Sequence, residues 1–330
     1  MVTIRDVAAA AGVAPSTVSY ALSGKKRLPP ETVEKVRRSI LELGYRPHAT
    51  ARALALGRTE VIGLLATVSP QQSETDAEVF MRFVRSAMFT ARRRGYDVLV
   101  LGRGDDELFG EPMIDALVVM DVQMEDPRLP LIAAMGRPTV LLGHPTDALG
   151  LPSVDLDFAA SGALAVQHLH EQGHRDVIVL APPAPSGRQL SWVVRFERGL
   201  ADAAEAHGMT HRTLTSGAGT GGTEFLDEIG GPGGASALIV LDLARIDELL
   251  AACAGRGVRV PQDLSIVALA PDEQMARAYP ALTLLDLPGR DMIALAVETV
   301  LASADGLAVD AVQLLPPRLV ERGSTGPARG

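Results

Sequence analysis

Short apolar runs recur along residues 60–330 with amphipathic stretches between them, and this alternation is the strongest constraint on the fold. Continuous apolar runs of four to eight residues are typical of buried parallel strands, and the stretches between them have helical periodicity. The predicted strands are Val61–Thr67, Val98–Leu101, Ala116–Met120, Thr139–Leu142, Val177–Ala181, Ala237–Leu241 and Ser265–Leu269. The predicted helices include Glu78–Arg94, Ala159–Glu171, Arg195–His207 and Ile246–Gly255. Strands that alternate with helices indicate open parallel sheets covered on both faces, with a ligand cleft beyond the carboxyl ends of the strands.

Length and composition limit the class of protein. A chain of 330 residues with 47% hydrophobic residues has room for two or three folded domains. No apolar run reaches the roughly 18–20 residues of a membrane span, and the first residues lack the pattern of a secretory signal. Cys253 is the single cysteine, so the sequence offers no internal disulfide and no cysteine-based metal cluster. We therefore expect a cytoplasmic protein without a membrane partner.

Charge is distributed unevenly along the chain. The first 60 residues contain ten Lys or Arg and five Asp or Glu, which gives a net charge of +5. The other 270 residues contain 21 basic and 35 acidic residues, which gives −14. A basic segment joined to an acidic body indicates a module that binds a polyanion and a second part that does not.

The basic segment has the spacing of a helix-turn-helix. Ala8, Gly12 and Val18 stand at offsets 0, +4 and +10. These positions suit the small residue where two helices cross, the glycine of the turn and the branched residue that anchors the second helix. Pro15 fits the first position of that second helix.

Two further patterns set the ends of the predicted helices. Thr3 and Asp6 resemble a capping box at the start of the first helix. A third helix is predicted from Pro30 to Leu43, with Gly44 as its C-cap. Its expected buried stripe consists of Val33, Val36, Ile40 and Leu43.

The exposed side of the second helix is rich in groups that can reach base edges or phosphates in a major groove. These residues are Pro15, Ser16, Thr17, Ser19 and Tyr20. Residues 49–56 form an Ala/Leu stretch that favours a helix but is too short to be stable alone. We expect this stretch to become helical only where something supports it.

Residues 2–59, VTIRDVAAAAGVAPSTVSYALSGKKRLPPETVEKVRRSILELGYRPHATARALALGRT, resemble the DNA-binding head of the lactose/galactose-repressor family of bacterial regulators. The resemblance implies a homodimer on a pseudo-palindromic operator, with paired 49–56 hinge helices that insert Leu54 into the minor groove. Tyr20 replaces an arginine that many members have, which leaves the operator sequence open. The implied DNA-binding residues are Thr3, Pro15, Ser16, Thr17, Ser19, Tyr20, Lys26, Tyr45, Arg52 and Leu54.

The body resembles the same family more loosely, in segments such as IDALVVM at 114–120 and RVPQDLSIVAL at 259–269. The implied fold is an all-α helix-turn-helix head plus an α/β two-lobed, periplasmic-binding-protein-like sensor domain with doubly wound parallel sheets. The head with its hinge spans 1–58, and the effector-binding and dimerisation domain spans 59–330. The expected N-lobe is 59–155 plus 283–310, and the expected C-lobe is 156–282 plus 311–330.

The effector pocket departs from the family pattern. Phe196 stands where many members have an arginine, and Ala268-Leu269-Ala270 replaces the usual Gly-Tyr-Asp. Since the usual polar clamp for a sugar is not evident, we hypothesise an effector other than a simple sugar, or a sensor that has lost tight binding. The candidate effector contacts are Arg188, Trp192, Arg195, Phe196, Asp242 and Asp272.

Other readings remain open at this point. Residues 217–222 match the G-x-G-x-x-G pattern of dinucleotide sites, but the preceding HRTLTS is polar for a buried parallel strand. His168, His170 and His174 have a metal-like spacing, although a structural interpretation is favoured. A solute-binding protein would share the body but would not need a basic head, and an α/β enzyme would need a nucleophile or phosphate loop that is not recognisable. We expect a regulator that acts as a repressor, without catalysis, cofactor or bound metal, whose partners are operator DNA and a small-molecule effector.

Overall fold

The structure is a computed structural model that describes residues 2–23, 27–45, 57–66, 74–102, 113–182, 189–215, 235–278 and 281–329. Several predictions therefore lie outside the described residues. They concern the hinge 49–56 with Arg52 and Leu54, the glycine-rich segment 217–222, and the candidates Lys26 and Arg188.

Three helices form the amino-terminal head: α1 (Ile4–Ala11), α2 (Pro15–Ser23) and α3 (Pro30–Leu43). Its core consists of Val7, Ala8, Val18 and Val36, each at most 2% exposed. The small residue and the branched residue of the predicted helix-turn-helix spacing are thus both core residues. The three predicted helices of the head are confirmed.

The predicted helix ends are also confirmed. Thr3 and Asp6 form a reciprocal capping box at the start of α1. Gly12 and Gly44 end α1 and α3 with φ angles of 67° and 61°, a left-handed conformation that favours glycine. The expected buried stripe of α3 is too wide, because Val33 and Leu43 are each 37% exposed. A head of three short helices covers only the central part of that stripe.

The body contains two six-stranded sheets. Sheet 1 has the order β11-β5-β4-β3-β1-β2 and sheet 2 the order β12-β10-β9-β8-β6-β7. Its strands are β1 (Val61–Leu65), β2 (Asp97–Leu101), β3 (Ala116–Val119), β4 (Thr139–Leu142), β5 (Ser153–Leu156), β6 (Asp176–Ala181), β7 (Thr210–Thr215), β8 (Ala237–Val240), β9 (Ser265–Ala270), β10 (Thr283–Asp286), β11 (Val312–Leu315) and β12 (Leu319–Val320). Its helices are α4 (Glu74–Arg93), α5 (Leu129–Ala134), α6 (Phe158–Glu171), α7 (Ser191–His207), α8 (Ile246–Gly255), α9 (Asp272–Ala278) and α10 (Gly289–Ala304).

Parallel pairing runs through the body as the apolar runs predicted. Neighbouring strands pair in parallel along β11-β5-β4-β3-β1 and along β10-β9-β8-β6-β7. The strand β12 is antiparallel to β10. We call the part around sheet 1, with α4 and α10, the first lobe, and the part around sheet 2, with α6 to α9, the second lobe.

Two of the strands that the sequence did not predict lack a continuous apolar run. The strand β5 has a carboxylate, Asp155, in its middle. The strand β7 is polar and almost wholly exposed because it lies at the edge of sheet 2. The segment HRTLTS is therefore part of a strand, and its polarity reflects an edge position.

The chain crosses between the lobes at different points from those expected. Thr283–Asp286 pairs with β9 in sheet 2, although 283–310 was expected in the N-lobe. Val312–Leu315 pairs with β5 in sheet 1, although 311–330 was expected in the C-lobe. Sheet membership corrects these two assignments, and the order of apolar runs along the chain does not determine which sheet a late strand joins.

Helices α6 and α7 pack closely in the second lobe through two glycines. A Cβ on Gly162 would lie 2.3 Å from the Phe196 carbonyl oxygen, and one on Gly199 would lie 2.0 Å from that of Ala159. This crossing fixes the start of α7, which carries several candidate effector residues. Within the described residues, no helix is long and apolar enough to cross a bilayer.

Candidate nucleic-acid interface and effector cleft

Helix α2 has one buried anchor and a polar outer surface. Val18 is fully buried against the head core. Ser16 and Tyr20 lie exposed one helical turn apart, and the Tyr20 side chain is 40% exposed. Pro15 is exposed, and Thr17 and Ser19 are half-buried. The arrangement leaves hydroxyl and phenol groups on one side of a rigidly held helix.

Two other predicted DNA contacts lie at the ends of head helices. Thr3 is exposed, and its backbone N–H and its hydroxyl each donate to Asp6 Oδ2 at 2.8 Å. These bonds lower the pKa of Asp6. Tyr45 follows α3 and packs, half-buried, on the edge of the head core. The Thr3 side chain thus caps α1, whereas the Tyr45 side chain covers one edge of the head core.

Among the candidate effector residues, Arg195 and Trp192 lie at the start of α7. The Arg195 guanidinium donates to the carbonyl oxygens of His144, at 2.6 Å, and Pro145, at 3.1 Å. The Trp192 ring lies 5.6 Å from the Phe158 ring. Since the Arg195 donors are directed at backbone carbonyls of the first lobe, this side chain links the two lobes.

Phe196 is a core residue and not a cleft residue. It is fully buried, and the α6–α7 crossing passes over its backbone. A side chain at this depth has no path to a ligand, so its position contradicts the expected effector contact. Arg195 is one residue earlier on α7, so its side chain points to a different side of the helix and reaches the first lobe.

The two candidate aspartates have structural partners. Asp242 is buried and accepts a hydrogen bond from the Ala244 backbone N–H at 3.2 Å, which caps a short 3-10 turn. Asp272 begins α9 and forms ion pairs with Arg318 and Arg322. Asp272 also lines a cavity, and it is the one described candidate that does so.

A backbone seam joins the lobes in front of α7. The Met124 N–H donates to the Gln189 carbonyl oxygen at 2.8 Å, and the Ser191 N–H donates to that of Val122 at 2.9 Å. Together with the Arg195 bonds, these contacts fill this side of the interlobe cleft. Sequence reasoning missed the seam because backbone contacts leave no residue-type signal.

Asp155 lies buried beside this seam. Its Oδ1 accepts the Leu156 backbone N–H at 3.0 Å, and its Oδ2 is buried without a hydrogen-bond partner among the described residues. Burial raises the pKa of Asp155 to about 7, against the lowering effects of the Leu156 backbone and the Arg195 charge. Burial also lowers the pKa of the neighbouring His144. The cluster therefore places a carboxyl that titrates near neutrality behind the interlobe contact.

A cavity of about 340 Å³ lies between the lobes, away from the seam. Its walls come from α4, from the residues after β9, and from the segment that joins β10 to α10. The side chains that give it charge are Arg82, Arg85, Asp272, Glu273, Asp286, Arg290, Asp291 and Arg318. Except for Asp272, sequence reasoning missed them, because the residues come from separate parts of the chain.

The three histidines with metal-like spacing point to different neighbours. Their partners are Thr325 for His168, Ser236 and Ser265 for His174, and the stacked His207 ring for His170. Burial lowers the pKa of His168 and of His174. Two of the three thus tie the second lobe to the carboxyl-terminal segment or to the ends of strands.

A three-helix head of this kind and a two-lobed body of parallel sheets with a cavity between the lobes define a ligand-responsive DNA-binding regulator. The family model described as "Bacterial regulatory proteins, lacI family" matches residues 3–48. The model described as "Periplasmic binding protein-like domain" matches residues 166–325. The chain belongs to the lacI family and is a helix-turn-helix transcriptional regulator.

Relatives match along most of the chain. The HTH-type transcriptional regulator CelR of Thermobifida fusca is 31% identical over 329 residues, which cover 90% of this chain and 92% of CelR. The regulator PtxS of Pseudomonas plecoglossicida is 31% identical over 98% of this chain and 96% of PtxS. The lac repressor dimer bound to operator and the anti-inducer ONPF has the same fold, with a TM-score of 0.81 and 22% identity over 98% of this chain and 99% of that one.

Proposed function

We propose that the protein is a homodimeric repressor that binds a pseudo-palindromic operator and changes its DNA affinity when a small effector binds between the lobes. It acts through binding and not through catalysis, in the cytoplasm and on the nucleoid when bound to its operator. Its relatives are regulators, and the acidic body with a basic head suits a protein that holds DNA by one part only.

The observation that carries this proposal is the outer surface of α2. Val18 fixes the helix to the head, and Ser16 and Tyr20 project from it one turn apart. A recognition helix needs this combination of a rigid anchor and exposed hydrogen-bonding side chains to read base edges in a major groove. Six further residues would contact the DNA backbone or the adjacent groove: Thr3, Thr17, Ser19, Lys26, Tyr45 and Arg52.

The hinge completes the proposed mechanism. Residues 49–56 would form paired helices when two copies meet on DNA, with Leu54 as a wedge in the minor groove. A movement of the two sensor domains relative to each other would change the free energy needed to order the hinge helices. The operator affinity would change with it. By thermodynamic linkage, operator DNA must change effector affinity by the same factor.

An apolar face on the first lobe supports a dimer through the body. Met81, Met88 and Phe89 lie on one side of α4, and each exposes more than half of its side chain. The nearby edge strand β2 exposes Leu99 and Val100. We propose that a second copy covers this face, as the solved lac repressor relative is itself a dimer.

The test is operator binding by matched variants. Genome-wide footprinting of the tagged protein supplies the sites, and fluorescence anisotropy on one of them measures affinity. We expect Tyr20→Ala and Ser16→Ala each to weaken specific binding by roughly tenfold, while Leu41→Ala, on the exposed surface of α3, retains it. A folded wild-type protein that binds no duplex specifically at moderate ionic strength would refute the proposal.

A further inference from the structure

The cavity between the lobes has the size of a small-molecule site. Its volume of about 340 Å³ falls in the usual range for such sites. Val79, Phe83 and Leu287 give it an apolar part. Phe83 is almost fully buried and packs against the backbone of Gly289, at the start of α10, so this wall is preformed.

Most of the charges around the cavity neutralise one another. Arg318 pairs with Asp286 at 2.8 Å and with Asp272 at 3.2 Å. Arg290 pairs with Glu273 at 2.8 Å. These pairs satisfy the acidic side chains that come from the second lobe and from the end of β10.

Two arginines on the opposite wall differ from these. Arg82 and Arg85 stand three residues apart on α4, and neither forms an ion pair or hydrogen bond with the described residues. Arg82 is half-buried beside the apolar part of the cavity. Arg85 lies exposed at the rim, on the side of α4 that carries Met81 and Phe89 and that a second copy would cover, so Arg82 is the cation that the cavity offers to a ligand. On the facing wall, the Asp291 carboxylate also lacks an ion pair among described residues, but it stands in the first turn of α10, where the helix dipole stabilises it.

The charge of the body and the burial of the guanidinium both favour a specific anionic ligand over unspecific attraction. The body has a net charge of −14, so unspecific attraction of anions to its surface is weak. A half-buried guanidinium without a counter-ion is costly, and carboxylate and phosphate groups match its planar donors. The cavity therefore offers a half-buried arginine without an ion-pair partner among the described residues, an apolar part, and charges that are otherwise paired except at Arg85 and Asp291.

We propose that this cavity binds a small organic anion, which places its carboxylate or phosphate group on Arg82 with Arg85 at the rim and its carbon skeleton against Phe83 and Leu287. The inference rests on the proposed function, since it gives the chemical class of the effector. Asp272 then acts indirectly, since it holds Arg318 in the cavity wall.

The test compares anions with a neutral analogue on the full-length protein. Thermal unfolding is followed while glucose 6-phosphate, gluconate, inorganic phosphate or glucose is titrated through the millimolar range, with potassium chloride added to keep the ionic strength equal. We expect a saturable rise in Tm with glucose 6-phosphate or gluconate, and none with glucose. A response to glucose 6-phosphate and inorganic phosphate alone would identify a phosphate ligand, and a response to gluconate alone a carboxylate ligand.

Variants locate the effect. Arg82→Gln should weaken binding of the active anion by at least about tenfold, and Arg85→Gln by less. Arg92→Gln, an exposed arginine in the last turn of the same helix, should bind it as the wild type does. The inference is overturned if no anion raises Tm above the potassium chloride control, or if Arg82→Gln binds the anion as tightly as the wild type.

Operator binding separates this inference from the proposed function. If the wild type binds its operator but no anion acts through Arg82, the proposed class of effector is wrong, and the proposed function as a DNA-binding regulator is retained. If the folded protein binds the anion but no operator, the proposed function is wrong, and the proposal that the cavity binds an organic anion is retained.

Discussion

The Arg195 guanidinium donates through Nε to the His144 carbonyl oxygen at 2.6 Å, and this bond ties a helix of the second lobe to a loop of the first. Together with the second bond, to Pro145, it uses donors that a ligand-binding arginine would keep for the effector. Arg195 is therefore part of the framework that sets the distance between the lobes.

Removal of Arg195 should loosen that framework. We expect Arg195→Ala to lower the free energy of unfolding by roughly 1–3 kcal/mol, because charge-assisted hydrogen bonds to two carbonyls are lost. Chemical denaturation of the purified protein measures the change. The control is Arg198→Ala, one turn along α7 on the exposed side. Equal losses in the two variants would show that the interlobe bonds contribute nothing.

The buried Asp155 should make stability depend on pH. Its pKa of about 7 in the folded protein lies above the 3.8 of an unperturbed aspartate, so the folded state binds the proton more tightly. Its contribution is complete below pH 4, declines as the pH rises, and is lost above pH 7, for a total of about 4 kcal/mol. Asp155→Asn removes the titration, so we expect the variant to gain stability relative to the wild type between pH 5 and pH 8.

Denaturation midpoints and slopes at both pH values test this expectation. Asp310→Asn, at an exposed carboxylate, serves as the control and should follow the wild type. A constant difference between Asp155→Asn and the wild type across that range would contradict a folded-state pKa near 7 for Asp155.

The close crossing of α6 and α7 predicts a large effect of one methyl group. A Cβ on Gly199 would overlap the Ala159 carbonyl, so we expect Gly199→Ala to cost roughly 2–4 kcal/mol of stability. Gly255 ends α8 in open space, and Gly255→Ala should be neutral or slightly stabilising. Thermal unfolding of the two variants provides the comparison. Similar Tm values would mean that the helices can move apart without loss.

The sequence predicted seven strands from continuous apolar runs, among them the largely exposed edge strand β2, but it did not predict the buried strand β10. It missed β5, where Asp155 interrupts the run, and it undervalued β7, whose edge position permits polar residues. It also misplaced β10 and β11, since pairing with β9 or β5 is a contact across the chain that no local pattern encodes.

The two candidate sites differ in the same way. The α2 surface could be predicted because its residues are neighbours on one helix. The cavity could not be predicted, because Arg82 and Arg318 are far apart in the sequence and meet only where the two lobes pack together. Phe196 was misjudged because it was chosen by the position of an arginine in other family members, whereas the α6–α7 crossing buries that position in the core.

The hinge gives the last prediction. Leu54→Ala should weaken operator binding by more than about 1 kcal/mol, because a shorter side chain cannot hold an unstacked base step open. The three-helix head has a core of its own, so the variant should keep the wild-type circular dichroism and Tm. Gel-shift titrations measure the affinity, with Leu41→Ala as a control that removes an equal side chain from the exposed surface of α3. If Leu54→Ala and the parent bind the operator equally, Leu54 does not act as a wedge.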